Sequence, residues 1–124
     1  MAKRQSPEKK VHEDVLAYLR LKFPKAVIHH SPNEFGASGK EIARQIAKHK
    51  KMGMAVGFPD LIALTDKGPM LFEVKAEGNY ATESQKALHS DLDALGYRVA
   101  VVRSVDDVRE KLAAWGFIGS EIRQ

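Results

Sequence analysis

Asp60 follows Gly57-Phe58-Pro59, and Glu73-Val74-Lys75 comes one short hairpin later in the chain. Side chains alternate along a strand, so Glu73 and Lys75 share one face while Val74 takes the other. Asp60 opens the preceding strand of the same hairpin, and a short turn brings it level with Glu73. Two carboxylates converging beside one ammonium form a site for a hard divalent cation: oxygen ligands suit Mg²⁺, and the lysine orients water or offsets charge on a phosphate. The chemistry such a group supports is phosphodiester hydrolysis. A Glu-x-Lys pair alone says little, because exposed pairs of this kind are common and contribute under about 1 kcal/mol. The combination carries the weight, since apolar Phe72 and Val74 flank the pair and the Gly-x-Pro-Asp turn precedes it.

The elements that must position these residues can be read from punctuation and periodicity. Ser6-Pro7-Glu8 offers an N-cap, a proline at the first helical position and an acid in the first turn, which predicts a helix over 7–22 ended by Pro24. Its apolar arc holds Val11, Val15, Leu16, Tyr18, Leu19 and Phe23. Residues 26–30 read as a short strand, and 31–39 as a turn-rich loop. A second helix is predicted over 40–51, with Ile42, Ala43, Ile46 and Ala47 on a packing face and Lys40, Arg44, Lys48 and Lys51 on a cationic one. Residues 60–65 and 70–76 read as strands joined by the turn Asp66-Lys67-Gly68-Pro69, an antiparallel hairpin. Thr82-Glu83-Ser84-Gln85 matches a capping box and opens a helix bearing Leu88, Leu92 and Leu95, terminated by Gly96. Strand 98–102 follows, parallel to its predecessor because one helix lies between. Ser104 caps a last helix carrying Val108, Leu112 and Trp115. The order α-β-α-β-β-α-β-α predicts an α/β fold, a mixed sheet flanked by helices.

At 124 residues the chain is expected to form a single domain over 6–124, preceded by a disordered basic segment over 1–5. There is no cysteine, which excludes disulfides, thiolate metal sites and cysteine nucleophiles. No apolar run is long enough to cross a bilayer and the start lacks the pattern of a signal peptide, so a cytoplasmic location is expected and no membrane partner. The net charge of +4 tilts partners toward polyanions. That charge is uneven: residues 1–57 hold 12 Lys plus Arg against 5 acids, and residues 58–124 hold 8 against 11. The positive excess lies on the segments that lead to Asp60.

Taken together, Gly57-Phe58-Pro59-Asp60-Leu61, Glu73-Val74-Lys75, Gln85 on a helix ending in Gly96, and Val99-Ala100-Val101-Val102-Arg103-Ser104 resemble the VRR-NUC branch of the PD-(D/E)xK nuclease superfamily. His30-Ser31-Pro32-Asn33-Glu34 is similar to a segment of its short, stand-alone, phage-type members, whose setting would be the cytoplasm of a bacterial host. The resemblance implies a restriction-endonuclease-like fold and a Mg²⁺-dependent endodeoxyribonuclease, with Mn²⁺ as an alternative ion. It implies that Asp60 and Glu73 ligate the metal with help from the Val74 backbone carbonyl, and that Lys75 is catalytic. Branched or duplex DNA is the implied partner, a homodimer the implied assembly, and a Holliday-junction resolvase the implied function. A nicking or flap nuclease of repair or restriction is the alternative enzyme, and a non-catalytic DNA-binding module the alternative from another class.

Several residues carry two readings each. Gln85 either closes the capping box or belongs to the active site. Glu8 and His12 sit near the middle of the first helix's apolar arc at i and i+4, where they either pair with each other or direct Glu8 at the metal, as a first-helix glutamate does in related nucleases. The family often has Gln where His12 stands. Lys40, Arg44, Lys48 and Lys51 either solvate a helix face or neutralise DNA phosphates, and His30 and Asn33 either contact DNA or stabilise the turn. His49 and His89 have no spacing that suggests a metal cluster.

Overall fold

The structure is a computed structural model that describes residues 6–31 and 40–117. Its elements run α1 (Pro7–Lys22), β1 (Val27–His30), α2 (Lys40–Lys51), β2 (Leu61–Thr65), β3 (Gly68–Val74), α3 (Glu83–Ala94), β4 (Arg98–Val102) and α4 (Val105–Ala114). The expected α/β order is therefore present. The basic segment 1–5 and the loop residue Asn33 lie outside the described residues, as does most of the 31–39 loop.

The four strands form one mixed sheet in the order β1-β2-β3-β4. β1 pairs antiparallel with β2 and β2 with β3, while β3 and β4 are parallel, as a single-helix connection through α3 requires. The β2–β3 loop is tighter than the turn the sequence suggests. Gly68 takes φ +105 and opens β3, with Thr65 and Gly68 as register partners and the Thr65 hydroxyl donating to the Gly68 carbonyl at 2.9 Å. Pro69 is tolerated in an interior strand because pairing with β4 begins only at Met70, so no ladder bond to β4 is asked of its nitrogen.

Strand alternation sorts the sheet into two faces. Leu61, Ala63, Met70, Phe72, Val74, Ala100 and Val102 point to one side and form the core with Val15 and Leu19 of α1 and Val108 and Leu112 of α4. Phe72 is wholly buried and its ring lies 5.7 Å from that of Trp115. Residue Glu73, between two core positions, must point the other way, toward α3. Each of the three best-formed helix starts has the cap its sequence announces: Ser6, Thr82 and Ser104 each accept a bond from a backbone N–H of the first turn.

Two helices pack less than their periodicity suggests. No described side chain of α2 is buried, and Ala43 and Ala47 of its expected packing face are exposed. Ile46 of the same stripe is half-buried. On α3, Leu88 and Leu92 are half-buried while Leu95, at the C-cap, is 73% exposed.

Candidate active site

The β2–β3 register pairs Leu61 with Phe72, which carries Asp60 to the position beside Glu73. Asp60 is anchored at both ends: its carbonyl accepts from Ser31 N at 2.7 Å, and its Oδ2 accepts from Val74 N at 2.8 Å. The second bond holds the carboxylate against the strand that bears Glu73.

Glu73 is 1% exposed, the one charged residue type among the buried side chains described. Gln85 Nε2 donates to Glu73 Oε2 at 3.2 Å, and Lys75 Nζ lies 3.6 Å from the same oxygen. Burial together with the neighbouring Asp60 carboxylate pushes the Glu73 carboxyl up from its ordinary value of 4.5 to about 8, against the opposing pull of Lys75. The other oxygen, Oε1, is buried and receives no hydrogen-bond donor among the described residues. Facing it at 3.9 Å is His89 Nε2, also buried and also without a hydrogen-bond partner among the described residues. At that distance there is no hydrogen bond, and burial lowers the His89 pKa, which disfavours the charged imidazolium that an ion pair would need.

Gln85 satisfies both of its readings at once. Its Oε1 accepts from Thr82 N at 2.8 Å to complete the capping box, while its Nε2 reaches Glu73. The two ends of one amide serve the helix and the carboxylate. Beneath this turn the Gly57 backbone comes so close to α3 that a Cβ there would stand 2.6 Å from the Ser84 carbonyl oxygen, and its φ is +88. Gly57 thus seats the loop carrying Asp60 against the helix turn carrying Gln85.

Glu8 and His12 do not form a pair: both are half-buried and no hydrogen bond or ion pair joins them among the described residues. Glu8 instead acts through space on Glu73, raising its pKa, although it ranks last among the influences there. His12 meets His30 edge to face at 4.6 Å, and burial followed by the His30 charge lowers its pKa while Asp60 raises it. The first helix therefore presents both residues toward the Asp60–Glu73 end of the sheet.

Lys40, Arg44, Lys48 and Lys51 are exposed along α2 and none is among the side chains touching Glu73. Val74 is tied to the site through its N–H bond to Asp60. His89 is the residue that sequence reading missed. Its only signal was its place one turn after Gln85, on the same face of α3.

The donors fit a hard divalent ion. Two carboxylates crowd one another, and one of them holds a buried oxygen that no donor among the described residues reaches. Among the described residues no group of three or more His, Asp and Glu side chains is set to hold a metal. Mg²⁺ does not require one, because it usually keeps several waters and takes one or two carboxylates beside substrate oxygens.

The family model of the VRR-NUC domain matches residues 8–106, a span that contains Glu8, Asp60, Glu73, Lys75, Gln85 and His89. No curated protein matches the chain. A solved structure titled VRR_NUC domain protein is similar at 25% sequence identity with a TM-score of 0.65, covering 98% of this chain and 99% of that one. The residues gathered around Glu73 lie in a mixed α/β fold shared with that structure, and the chain belongs to the VRR-NUC domain family, whose domain indicates a nuclease.

Proposed function

We propose that the protein is a Mg²⁺-dependent endonuclease of the PD-(D/E)xK type that resolves four-way DNA junctions as a homodimer. The observation that supports this reading most is Glu73: a buried carboxylate crowded by the Asp60 carboxylate and flanked by Lys75, whose Oε1 receives no donor among the described residues. An isolated arrangement of that kind is unfavourable, and a cation held by the two carboxylates would relieve it.

Asp60 and Glu73 would hold the ion, with the Val74 carbonyl as the further protein ligand. Bound there, a divalent cation supplies Lewis acidity toward a phosphoryl oxygen and lowers the pKa of water. Lys75, its side chain 13% exposed and its ammonium beside Glu73, orients the attacking water and offsets negative charge growing on the phosphate. Gln85 fixes the rotamer of Glu73 through Oε2, leaving Oε1 directed away from that bond. The exposed cations of α2, and His30 at the end of β1, contact the DNA backbone.

A single cleavage site in each small chain makes a dimer the natural device for two symmetric cuts. Purified protein is incubated with labelled four-way junction, flap and duplex DNA, in Mg²⁺ or in EDTA. Paired symmetric nicks in the junction, absent with EDTA and absent in Asp60→Ala, are the expected result. Cleavage of flap or duplex with the junction intact would select a nicking or flap nuclease, and salt-sensitive binding with no product in any metal would leave only a DNA-binding module.

A further inference from the structure

Beside the catalytic cluster, on the far side of His89, a cleft of about 500 Å³ runs between α3 and α4 over the exposed edge of β4. Tyr80, from the loop before α3, stands at its wall with 74% of its surface exposed. The Arg103 guanidinium lies 5.1 Å from the centre of that ring and is fixed there by two hydrogen bonds to the Asn79 carbonyl, at 3.1 and 2.8 Å. Lys86 of α3, whose ammonium also lies 3.6 Å from the exposed Glu83 carboxylate, and Lys111 of α4 line the cleft, and Asp93 is the single acid among its lining residues. The cleft therefore combines three cations, one anion and an exposed aromatic face that its own guanidinium holds in place.

We propose that this cleft takes a single strand of nucleic acid flanking the scissile phosphate, with one base stacked on Tyr80 and phosphates on Lys86 and Lys111. The proposal rests on the nuclease reading of the neighbouring site. Three features point to this occupant. The charge is complementary to a phosphate backbone, and a planar ring beside a fixed guanidinium is the platform on which bases of any sequence stack. The wall it shares with the catalytic cluster is His89, which lines the cleft and whose Nε2 faces Glu73 at 3.9 Å, so a strand in the cleft lies one side chain away from the carboxylate pair. A strand entering there leaves the duplex, which matches an enzyme that acts where DNA branches.

Binding is measured by fluorescence anisotropy with a labelled single-stranded oligonucleotide and a labelled four-way junction, in EDTA so that nothing is cut, across a range of salt. Tyr80→Ala is expected to weaken single-strand binding roughly tenfold, and Tyr80→Phe, which keeps the ring, to restore it. The pair Lys86→Ala and Lys111→Ala is expected to weaken binding of both probes and to reduce the single-strand log-log salt slope by about 1.4. Removing the same charge at the exposed residues Lys25 and Lys67 should leave both affinities unchanged. Wild-type affinity in the Tyr80→Ala and Lys86→Ala/Lys111→Ala variants, with junction cleavage intact, would overturn the cleft while the nuclease stands. If the wild-type chain binds DNA but cuts none in Mg²⁺, the nuclease reading fails and the same variants still decide the cleft. Unchanged DNA affinity with lost self-association would make the cleft a protein contact and overturn the proposal.

Discussion

Glu73 shows at the scale of one residue why the site is unstable alone. Its pKa is higher in the fold, about 8, than the ordinary 4.5, so its protonated form is favoured by folding. Its contribution to stability is then fully present below pH 4.5 and is lost as the pH rises through 8. The melting temperature of the metal-free protein should fall over that window, and Glu73→Gln should flatten the fall; an equal pH dependence in the two proteins would contradict this. Mg²⁺ should raise the melting temperature of wild type most at the alkaline end, where the carboxylate is charged, with little effect on Glu73→Gln. Gln85 allows its two jobs to be separated. Gln85→Glu keeps an oxygen for the Thr82 N–H but replaces the donor to Glu73 with a further carboxylate, so its melting temperature should fall more steeply than wild type as the pH rises, and it should cleave at least tenfold more slowly. Gln85→Ala loses both and should also cost about 1 kcal/mol of stability, read by denaturant titration. Asp60, Glu73 and Lys75 were legible in the sequence because strand alternation fixes which side chains share a face. His89 was not, because its meaning depends on which side of α3 meets the sheet.

Elements are where local chemistry spoke most clearly. Ser6-Pro7, Thr82 with Gln85, and Ser104 mark helix starts by side chains that bond the first-turn N–H groups, and all three bonds are present. Gly68 and Pro69 were read as turn, and they pair with β2 instead, because a proline is unwelcome only where a ladder needs its N–H. The packing faces of α2 and α3 were overstated, since periodicity shows which side is apolar but not how much area a neighbour covers. The close approach of Gly57 to α3 is invisible in sequence beyond the Gly-x-Pro-Asp pattern. Gly57→Ala must both hold a side chain at φ +88 and push Ser84 away from 2.6 Å. The left-handed backbone alone costs about 1 to 2 kcal/mol. The variant should melt lower and, because α3 carries Gln85, should lose cleavage beyond what its stability explains. Cleavage equal to wild type at a temperature where both are folded would show that the loop and helix can part without disturbing the site.

For the whole molecule, the two faces of the sheet divide the work. One face is sealed by α1 and α4 around Phe72, and Leu112→Ala there should lower stability by roughly 2 to 5 kcal/mol while leaving the residues around Glu73 in place. The other face carries Glu73, covered by Gln85 and His89 of α3. Among the described residues no helix is long and apolar enough to cross a membrane. The excess of positive charge before Asp60 resolves, within the described residues, into the exposed cations of α1 and α2, and the expectation that these hold DNA is a matter for salt-dependent binding. The α/β order was legible throughout, whereas assembly, which depends on surface between copies, was not. The central claim is that Asp60, Glu73 and Lys75 hydrolyse phosphodiesters with a divalent ion. Single-turnover cleavage of labelled junction DNA by wild type and Lys75→Ala, with Mg²⁺ and with EDTA, tests it most directly. Cleavage by wild type only in Mg²⁺, reduced roughly 10²- to 10⁴-fold in Lys75→Ala, is the expected result; cleavage that survives Lys75→Ala undiminished, or persists in EDTA, would contradict it.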